Sequence, residues 1–426
     1  MSFKYGKIGR SLGLGLALFV GATAQGMAQD KASDKGQLFQ MGVLFYGDYN
    51  YYMNTGYAPQ FLTQQVHPGT ASNSYNSFEV TRTYLDFRFT PIPGWTLRVT
   101  PNLTRDSSGN LFVRIKYAYL DKKDLFDGIK YFQGDVLTAG QEPNPLIGWE
   151  EDMWGYRFVN LVPWNYMGLS STFTGASIHG PIRFNGKQYI DYDLGVFNNA
   201  SFHHFERINQ KQVMARLSFY PMGANSRFGG LGFTAFIDNG WGQPSGTNAA
   251  TAPASLRRNV SRMAFLAHYN APHWAVAAEY DKGRNAVSAG NMFSAQGGFY
   301  TVPGGLESAA KDNLDGSSKQ QGYAFFGHYD LPARLVGNGW SVFGMFQHFQ
   351  PNSNTNVLDF NRYSAGVAYQ TTPHLTFALD YQDFQYANKD KLVNAGASSA
   401  NLGDTQAIFF HVQFKNVQKH YTHAGF

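Results

Sequence analysis

A series of short segments with alternating apolar and polar residues, separated by gaps of unequal length, constrains the fold of this chain most strongly. About sixteen such segments run from Gln37–Met53 to Thr405–Lys415. The odd-numbered gaps are 54–75, 106–109, 142–168, 198–211, 241–260, 282–320, 350–361 and 388–403. The even-numbered gaps are 90–94, 121–133, 181–188, 221–230, 271–272, 331–338 and 372–373. Except for 106–109, the odd-numbered gaps are the long ones, so an antiparallel sheet of these strands has one tightly turned end and one elaborated end.

The alternation within each segment predicts which side of the strand is apolar, because successive side chains on a strand point to opposite faces. In Leu111–Tyr119 the pattern places Tyr117 and Tyr119 on the apolar face. Arg114 and Lys116 lie on the opposite face of the same segment. The polar face of the last segment carries His411, Gln413 and Lys415. Soluble antiparallel sheets share this pattern, so the membrane prediction needs further support.

The N-terminal region has the parts of a secretory signal peptide. Lys4, Lys7 and Arg10 precede the apolar stretch Leu12–Val20, and small residues allow cleavage after residue 24 or 28. We therefore assign residues 1–28 to a signal peptide. No later stretch is apolar enough for a spanning helix, which needs about 20 such residues. An exported membrane protein of this kind has to span as a closed barrel, because exposed strand edges are not tolerated in lipid.

The predicted fold class is all-β: a single transmembrane antiparallel β-barrel of about sixteen strands over residues 37–415. We expect long external loops, short periplasmic turns, an outer-membrane location and a C-terminal tail at 416–426. Trp95, Trp274 and Trp340 each begin an odd-numbered strand, and Tyr220 and Tyr329 end strands at the same level. Rings with one polar atom favour the headgroup zone, so these residues are predicted to form an aromatic girdle. Scattered core aromatics are the alternative interpretation.

Charge and cysteine content exclude several classes of function. The formal net charge is +5, and removal of the three basic residues of the signal peptide leaves about +2. Such a balance is not that of a polyanion-binding surface, so we predict no nucleic-acid partner. The chain contains no cysteine, which excludes disulfides, thiolate metal sites and a lipid-anchored lipoprotein.

Basic residues are concentrated on the inward faces of the second to fourth strands. These predicted pore-lining residues are Arg82, Arg88, Arg98, Arg114 and Lys116. Asp86 is the one acidic residue among them, whereas the inward positions of later strands are more acidic. Clustered cations repel one another unless water, ions or carboxylates compensate them. There are two interpretations of this cluster. It either only keeps the lumen solvated, or it contributes the positive side of a transverse electric field that affects which ions pass.

The third long gap is predicted to form a constriction loop. It contains three of the seven tryptophans, and its charged residues are Glu142, Glu150, Glu151, Asp152 and Arg157. A loop so rich in apolar rings is poorly placed in bulk water. Folding inward would bury the rings and bring the four acids near the basic wall. The alternative is a loop that caps the barrel or packs at a subunit contact.

Three segments of the sequence resemble the phosphate-selective porin family. They are Phe78–Thr90 followed by Trp95–Thr100, then Thr138–Gln141 leading into Pro143 and Pro145, then Gly175–Gly180. The resemblance implies a sixteen-stranded homotrimeric porin with an inward-folded third loop and an arginine-lined pore. The family's phosphate site also uses a lysine cluster in a later loop. The fifth loop here, Trp241–Val260, has only Arg257 and Arg258 as basic residues.

The predicted function is a passive diffusion channel for small hydrophilic solutes and inorganic anions, with a weak anion preference and phosphate among the candidate anions. Outer-membrane lipid is the other predicted partner. We predict no enzymatic activity, cofactor or metal. No Gly-x-Ser-x-Gly motif follows the signal peptide, and His203, His204 and Glu206 lack a diagnostic metal-ligand spacing. An outer-membrane barrel enzyme of the protease or lipase type and a structural or adhesive barrel remain as alternatives.

Overall fold

The described part of the chain forms a closed antiparallel β-barrel in which β1 pairs with β16. The structure is a computed structural model that describes residues 38–54, 74–105, 110–126, 128–166, 168–202, 205, 206, 208–224, 230–241, 259–286, 318–395 and 404–416. The strands are β1 (Phe39–Asn54), β2 (Asn76–Ile92), β3 (Trp95–Arg105), β4 (Leu111–Lys123), β5 (Val136–Pro143), β6 (Thr172–Phe184), β7 (Lys187–Ser201), β8 (Gln212–Phe219), β9 (Leu231–Trp241), β10 (Asn259–Ala271), β11 (Trp274–Arg284), β12 (Lys319–Asp330), β13 (Trp340–Gln350), β14 (Phe360–Thr372), β15 (Leu375–Tyr386) and β16 (Thr405–Asn416).

The predicted fold class and the rhythm of long and short gaps are confirmed. The short connections include the two-residue turn between β6 and β7, where Asn185 and Gly186 have φ of 51° and 76°. Positive φ at both positions matches the twist of a two-residue hairpin, which explains the Asn-Gly pair. The predicted signal peptide and residues 417–426 lie outside the described residues. Asn416, which we assigned to the tail, is the last residue of β16.

The seam between β1 and β16 is linked by a polar contact inside the barrel. Asp48 of β1 lies opposite His411 of β16 in the strand register. The two nitrogens of the His411 ring lie 2.7 Å from Asp48 Oδ1 and 2.7 Å from Asp380 Oδ1 on β15. All three side chains are buried. His411, which the alternation placed on the polar face of the last segment, is thus bound to two carboxylates inside the barrel.

The outer face of the wall is apolar and carries aromatic rings at the short-turn end. Large exposed side chains on this face include Leu97, Val113, Ile237, Phe265, Phe325 and Phe410. The Trp274 ring stacks on Tyr269 at 4.7 Å, and the Trp340 ring lies 4.8 Å from Tyr369. Tyr329 is also exposed on this face. Such a surface suits hydrocarbon flanked by headgroups, as in a membrane-spanning barrel.

The prediction for Tyr220 was wrong, because this ring points into the barrel. Tyr220 is buried, and its ring meets that of His268 edge-on at 6.0 Å. The preceding residue, Phe219, ends β8 and is exposed on the outer face. Side chains alternate along the strand direction, so the residue after Phe219 faces the lumen.

A β-bulge in β4 reverses the predicted orientation of two tyrosines. Thr100 pairs with Tyr117 and Pro101 pairs with Ile115, so Lys116 is an extra residue in β4. An extra residue shifts the alternation by one position, and every later side chain changes face. Tyr119 is consequently buried inside the barrel instead of facing outward.

The third long loop, residues 144–171, carries two helices, α1 (Ile147–Trp154) and α2 (Pro163–Tyr166). Two more short helices, α3 (Ala333–Val336) and α4 (Lys389–Asn394), lie in other connections. Among the described residues, no helix is long and apolar enough to cross a membrane. Trp149, Trp154 and Trp164 are buried, and the aromatic core to which they belong includes Phe326 and Phe343 from the inner face of the wall. The third loop therefore folds into the barrel.

Replacement of His411 by Leu is expected to destabilise the barrel, because it leaves the buried carboxyl groups of Asp48 and Asp380 without their shared partner. We expect a loss of about 3 kcal/mol in the free energy of unfolding. The measurement is urea unfolding of the refolded barrel in detergent. His273→Leu is the control, since His273 lies in the exposed β10–β11 turn. An equal loss in both variants would contradict a stabilising role for the seam contact.

Candidate pore constriction

A cavity of about 260 Å³ lies between the third loop and the part of the wall formed by β1 to β4 and β16. Its basic residues are Arg82, Arg98, Arg157 and Lys415. Its acidic residues are Asp86, Glu151 and Asp152. Three tyrosines, Tyr46, Tyr84 and Tyr117, also line it. The cavity thus has a wall rich in arginine and tyrosine on one side and two carboxylates of helix α1 on the other.

Local sequence determines where helix α1 begins and ends. The side-chain oxygen of Asn144 accepts hydrogen bonds from the backbone N–H groups of Leu146 and Ile147, at 2.9 and 2.7 Å. These bonds satisfy donors that have no partner within a helix. Gly155 ends the helix with φ of 76°, a left-handed conformation that glycine adopts without steric cost. The helix between these two residues positions Glu151 and Asp152 at the cavity.

Arg216 of β8 fixes the start of the third loop on the wall opposite the arginine cluster. Its Nε donates to the Pro145 carbonyl oxygen at 2.8 Å, and its guanidinium lies 5.0 Å from the Trp149 ring. Nη2 of the same side chain donates to Asp191 at 2.6 Å. Arg216 is fully buried. A buried guanidinium needs such partners, so the loop backbone and the wall stabilise each other through it.

The middle of the third loop packs on β12 to β14. The Trp154 ring meets Phe326 and Phe343 edge-on at 5.9 and 6.1 Å. Tyr156 stacks on Phe343 at 4.5 Å, and its hydroxyl lies 2.5 Å from Ser341 Oγ. Burial of these rings away from water favours the inward path of the loop. The loop is thereby held against the far wall, and space is left beside β1 to β4.

On the near wall, Asp86 organises the arginine cluster. Its carboxylate accepts hydrogen bonds from Arg98 Nε, from Arg88 Nε at 2.9 Å and from Thr100 Oγ1 at 2.7 Å. Arg98 also donates to the Tyr119 hydroxyl at 3.0 Å. Charge-assisted bonds of this kind hold a guanidinium in one orientation. The Arg98 side chain at the cavity is therefore positioned by several partners at once.

Aromatic rings hold the second arginine of the cavity wall. Arg82 Nη1 donates to the Tyr84 hydroxyl at 2.6 Å, and its guanidinium lies 5.0 Å from the Tyr84 ring and 5.8 Å from the Tyr46 ring. On the loop side, Arg157 Nε donates to Glu151. Stacking and hydrogen bonding limit the movement of these cations without removing their charge.

Three of the five predicted pore-lining basic residues do not line this cavity. Arg88 is bound to Asp86 beside it. The Arg114 guanidinium lies 5.1 Å from the Phe202 ring. Lys116 donates to Ser171 Oγ, lies 4.1 Å from the Phe202 ring and is buried. The inward orientation of a residue on an early strand is thus not sufficient to place it at the narrow part of the lumen.

The expectation that all four acids of the loop region face the arginines was wrong for two of them. Glu142 belongs to β5, is buried and accepts a hydrogen bond from Ser177 at 2.6 Å. Glu150 is buried on the wall side of α1, close to Glu279 and Asp281 of β11. Consecutive helical residues point in different directions, so Glu150 faces the wall whereas Glu151 faces the cavity. Burial, reinforced by the Glu279 charge, raises the pKa of Glu150 well above its ordinary value.

Sequence reasoning missed Lys415 as a residue of the cavity. The alternation of the last segment placed Lys415 on the polar face. Its position beside the cavity could not be predicted, because it depends on the pairing of β16 with β1. Lys415 lies opposite Leu44 of β1, which brings it next to the cations of β2. Of the three residues considered above as metal ligands, His203 and His204 lie outside the described residues. Glu206 accepts hydrogen bonds from the backbone N–H groups of Asn199 at 2.6 Å and Ile208 at 3.0 Å.

No protein-family model and no curated protein matches the chain. Solved structures do match it. The outer membrane channel DcaP of Acinetobacter baumannii is 11% identical, with 91% of this chain and 99% of that chain covered and a TM-score of 0.54. An anion-selective porin from Comamonas acidovorans is 9% identical, with 89% and 99% covered and a TM-score of 0.52. OmpF of Salmonella typhi is 12% identical, with 88% and 97% covered and a TM-score of 0.54.

The chain has the fold of an outer-membrane porin. At these identities the likeness establishes the fold alone, and a phosphate-selective subtype rests on the sequence motifs given above. The porin fold also accounts for the position of the third loop, since a barrel of this size has an interior wider than its own side chains fill.

Replacement of Trp149–Trp164 by a short Gly-Ser linker is expected to raise single-channel conductance at least about twofold, because the loop occupies much of the lumen. Planar-bilayer recording measures the change. Replacement of α4 (Lys389–Asn394), a helix of a different loop, by a linker of equal length is the control and should leave conductance near the parent value. Unchanged conductance after removal of the third-loop segment would contradict a constriction at this site.

Glu150→Gln is expected to make the unfolding free energy of the barrel less sensitive to rising pH. The folded protein binds the Glu150 proton more tightly than the unfolded chain does, because the ordinary pKa of this carboxyl group is 4.5 and burial raises it. The stabilising contribution is therefore complete below that pH and declines as pH rises toward the raised pKa. Between pH 5 and pH 8, wild type should lose more unfolding free energy than the variant.

The matched control for this experiment is Asp390→Asn, which removes an exposed carboxylate from α4. Urea unfolding at several pH values gives the free energies. Identical pH profiles for wild type and Glu150→Gln would show that the buried carboxyl group does not limit stability in this range.

Proposed function

We propose that this protein is a passive diffusion channel of the outer membrane for small hydrophilic solutes, with a weak preference for anions. The observation that carries the proposal is the cavity between the third loop and the arginine-bearing wall of a closed barrel. A closed wall with an apolar exterior and a polar, incompletely filled interior is suited to passage of solutes along its axis. The similarity to a porin described as anion-selective supports the same class of function.

The balance of charge at the cavity favours anions only slightly. Four basic residues, Arg82, Arg98, Arg157 and Lys415, line it together with three acidic ones, Asp86, Glu151 and Asp152. Charges this close act on a permeating ion within the Debye length, which is about 8 Å at physiological salt. Three of the basic residues are on the near wall and Arg157 follows α1 in the loop, whereas two of the acids are on α1. A solute therefore passes through a transverse electric field, and the residues that line the cavity carry a small excess of positive charge.

Several cavity cations already have internal partners, which argues for weak and rapid anion contact. Arg98 is bonded to Asp86, and Arg157 is bonded to Glu151. A tight phosphate site would need donors free of competing carboxylates, and the fifth loop supplies no lysine. We therefore propose that inorganic anions, phosphate among them, pass without high-affinity binding. The homotrimeric assembly implied by the family resemblance is part of this proposal.

The charge balance is tested by reversing Arg82 of β2 and Lys415 of β16, two cations of the cavity wall. Arg82→Glu with Lys415→Glu should lower the chloride-to-potassium permeability ratio at least about twofold, and more at low salt. The measurement is the reversal potential in a potassium chloride gradient across a planar bilayer. Arg114→Glu is the control, since Arg114 lies beside Phe202 and does not line the cavity.

A parent channel that already favours potassium would contradict the proposed anion preference. Equal shifts in the double variant and in Arg114→Glu would show that the whole lumen, and not this cavity, sets selectivity. Block of the parent current by micromolar phosphate would contradict the proposal of weak contact.

A further inference from the structure

The outer face of β8 to β12 has a shallow apolar groove of about 600 Å³. Its depth comes from small side chains on three adjacent strands, Ala235, Ala267 and Ala278. Ala267 lies opposite Phe233 on β9 and opposite Ala278 on β11. Larger rings, including Phe265 and Phe325, border these positions. The groove is therefore an elongated depression in the lipid-facing wall, on the side of the barrel away from the pore cavity.

A cluster of cations lies directly beyond the groove, toward the long-loop end. Tyr280 and Tyr323 pair with each other at the upper border of the groove. Lys282 and Arg284 follow on the same face of β11, and Arg284 lies opposite Lys319 of β12. All three basic side chains are exposed. The outward-facing described residues of β9 to β12 include no acid.

These two features call for one ligand with two chemically different parts. Like charges directly opposite each other on neighbouring strands are destabilising, so Arg284 and Lys319 gain from a shared anion. Near a membrane surface, Lys and Arg attract anionic headgroups. The alanine groove below them offers apolar surface to a hydrocarbon chain. An anionic lipid satisfies both requirements at once, with its headgroup on the cations and a chain in the groove.

We propose that this face of the barrel is a binding site for a phosphate-bearing lipid of the external leaflet. Lys282, Arg284 and Lys319 contact the phosphate, and Ala235, Ala267 and Ala278 form the bed of one acyl chain. A second copy of the chain is a weaker candidate for this face, because no acid of the described wall accompanies the cations to pair with a partner. The inference is independent of the proposed channel function, since it concerns the outside of the wall.

The test uses the full barrel, extracted in detergent and exposed to phosphatidylglycerol and phosphatidylcholine with identical acyl chains. Native mass spectrometry measures the ratio of the two lipids retained. Wild type should retain phosphatidylglycerol preferentially. Lys282→Gln, Arg284→Gln and Lys319→Gln together should lower the ratio at least about tenfold. The matched control, Lys123→Gln, Lys130→Gln and Lys187→Gln, removes the same charge from exposed positions at the short-turn end and should keep the wild-type ratio.

A second variant tests the apolar half of the site. Ala267→Phe with Ala278→Phe fills the groove without altering charge and should reduce retention of both lipids. Heat-modifiable migration on gels confirms that each variant is folded. Equal lipid ratios in the two triple variants would overturn the proposal. It would also be overturned if the groove-filling variant kept its lipid and instead lost subunits from the assembly, because a second copy would then cover this face.

Discussion

The rest of the structure depends on the requirement that every backbone N–H and C=O group in the wall be paired within the wall. Hydrocarbon offers no hydrogen-bond partner, so a sheet that crosses it has to close. Closure is achieved by pairing β1 with β16. Once the sheet is closed, strand alternation assigns each side chain to lipid or to the lumen, and the polar half of the sequence is concentrated inside. The polar lining of the pore is thus a consequence of the requirement that the backbone hydrogen bonds be formed within the wall.

A closed wall of this size leaves an interior that its own side chains do not fill, and the third loop determines what remains open. Trp154 and Tyr156 bind the loop to β12 and β13, and Arg216 binds its start to β8. All these anchors lie opposite the arginine cluster. The open space is therefore eccentric, and it is bounded by the strands on either side of the seam. Lys415 reaches it only because β16 adjoins β1.

The strand order and most strand boundaries could be predicted from the sequence, because a lipid-facing wall imposes an alternation with a period of two on every strand. Single-residue features could not be predicted. The bulge at Lys116 shifts the alternation by one residue, and nothing in the local pattern marks it. The side of α1 that faces the pore was also invisible, since it depends on contacts of Trp149 and Glu150 with strands far away in sequence. The arginine cluster was predicted. Which of its members line the cavity depends on the path of the third loop and could not be predicted.

The contact between His411 and Asp48 joins residues 363 positions apart. Most other wall contacts join strands that are consecutive in the chain and can form hairpin by hairpin. The entropic cost of joining the ends grows with the length of chain between them, so this pairing is the least accessible in an extended chain and the easiest once the intervening hairpins have curved the sheet. The sequence separation therefore favours ring closure as the last event of assembly. The contact between Asp48 and His411 forms only when β1 meets β16. A nearly closed sheet lacks this contact, so its free energy is higher than that of the finished barrel.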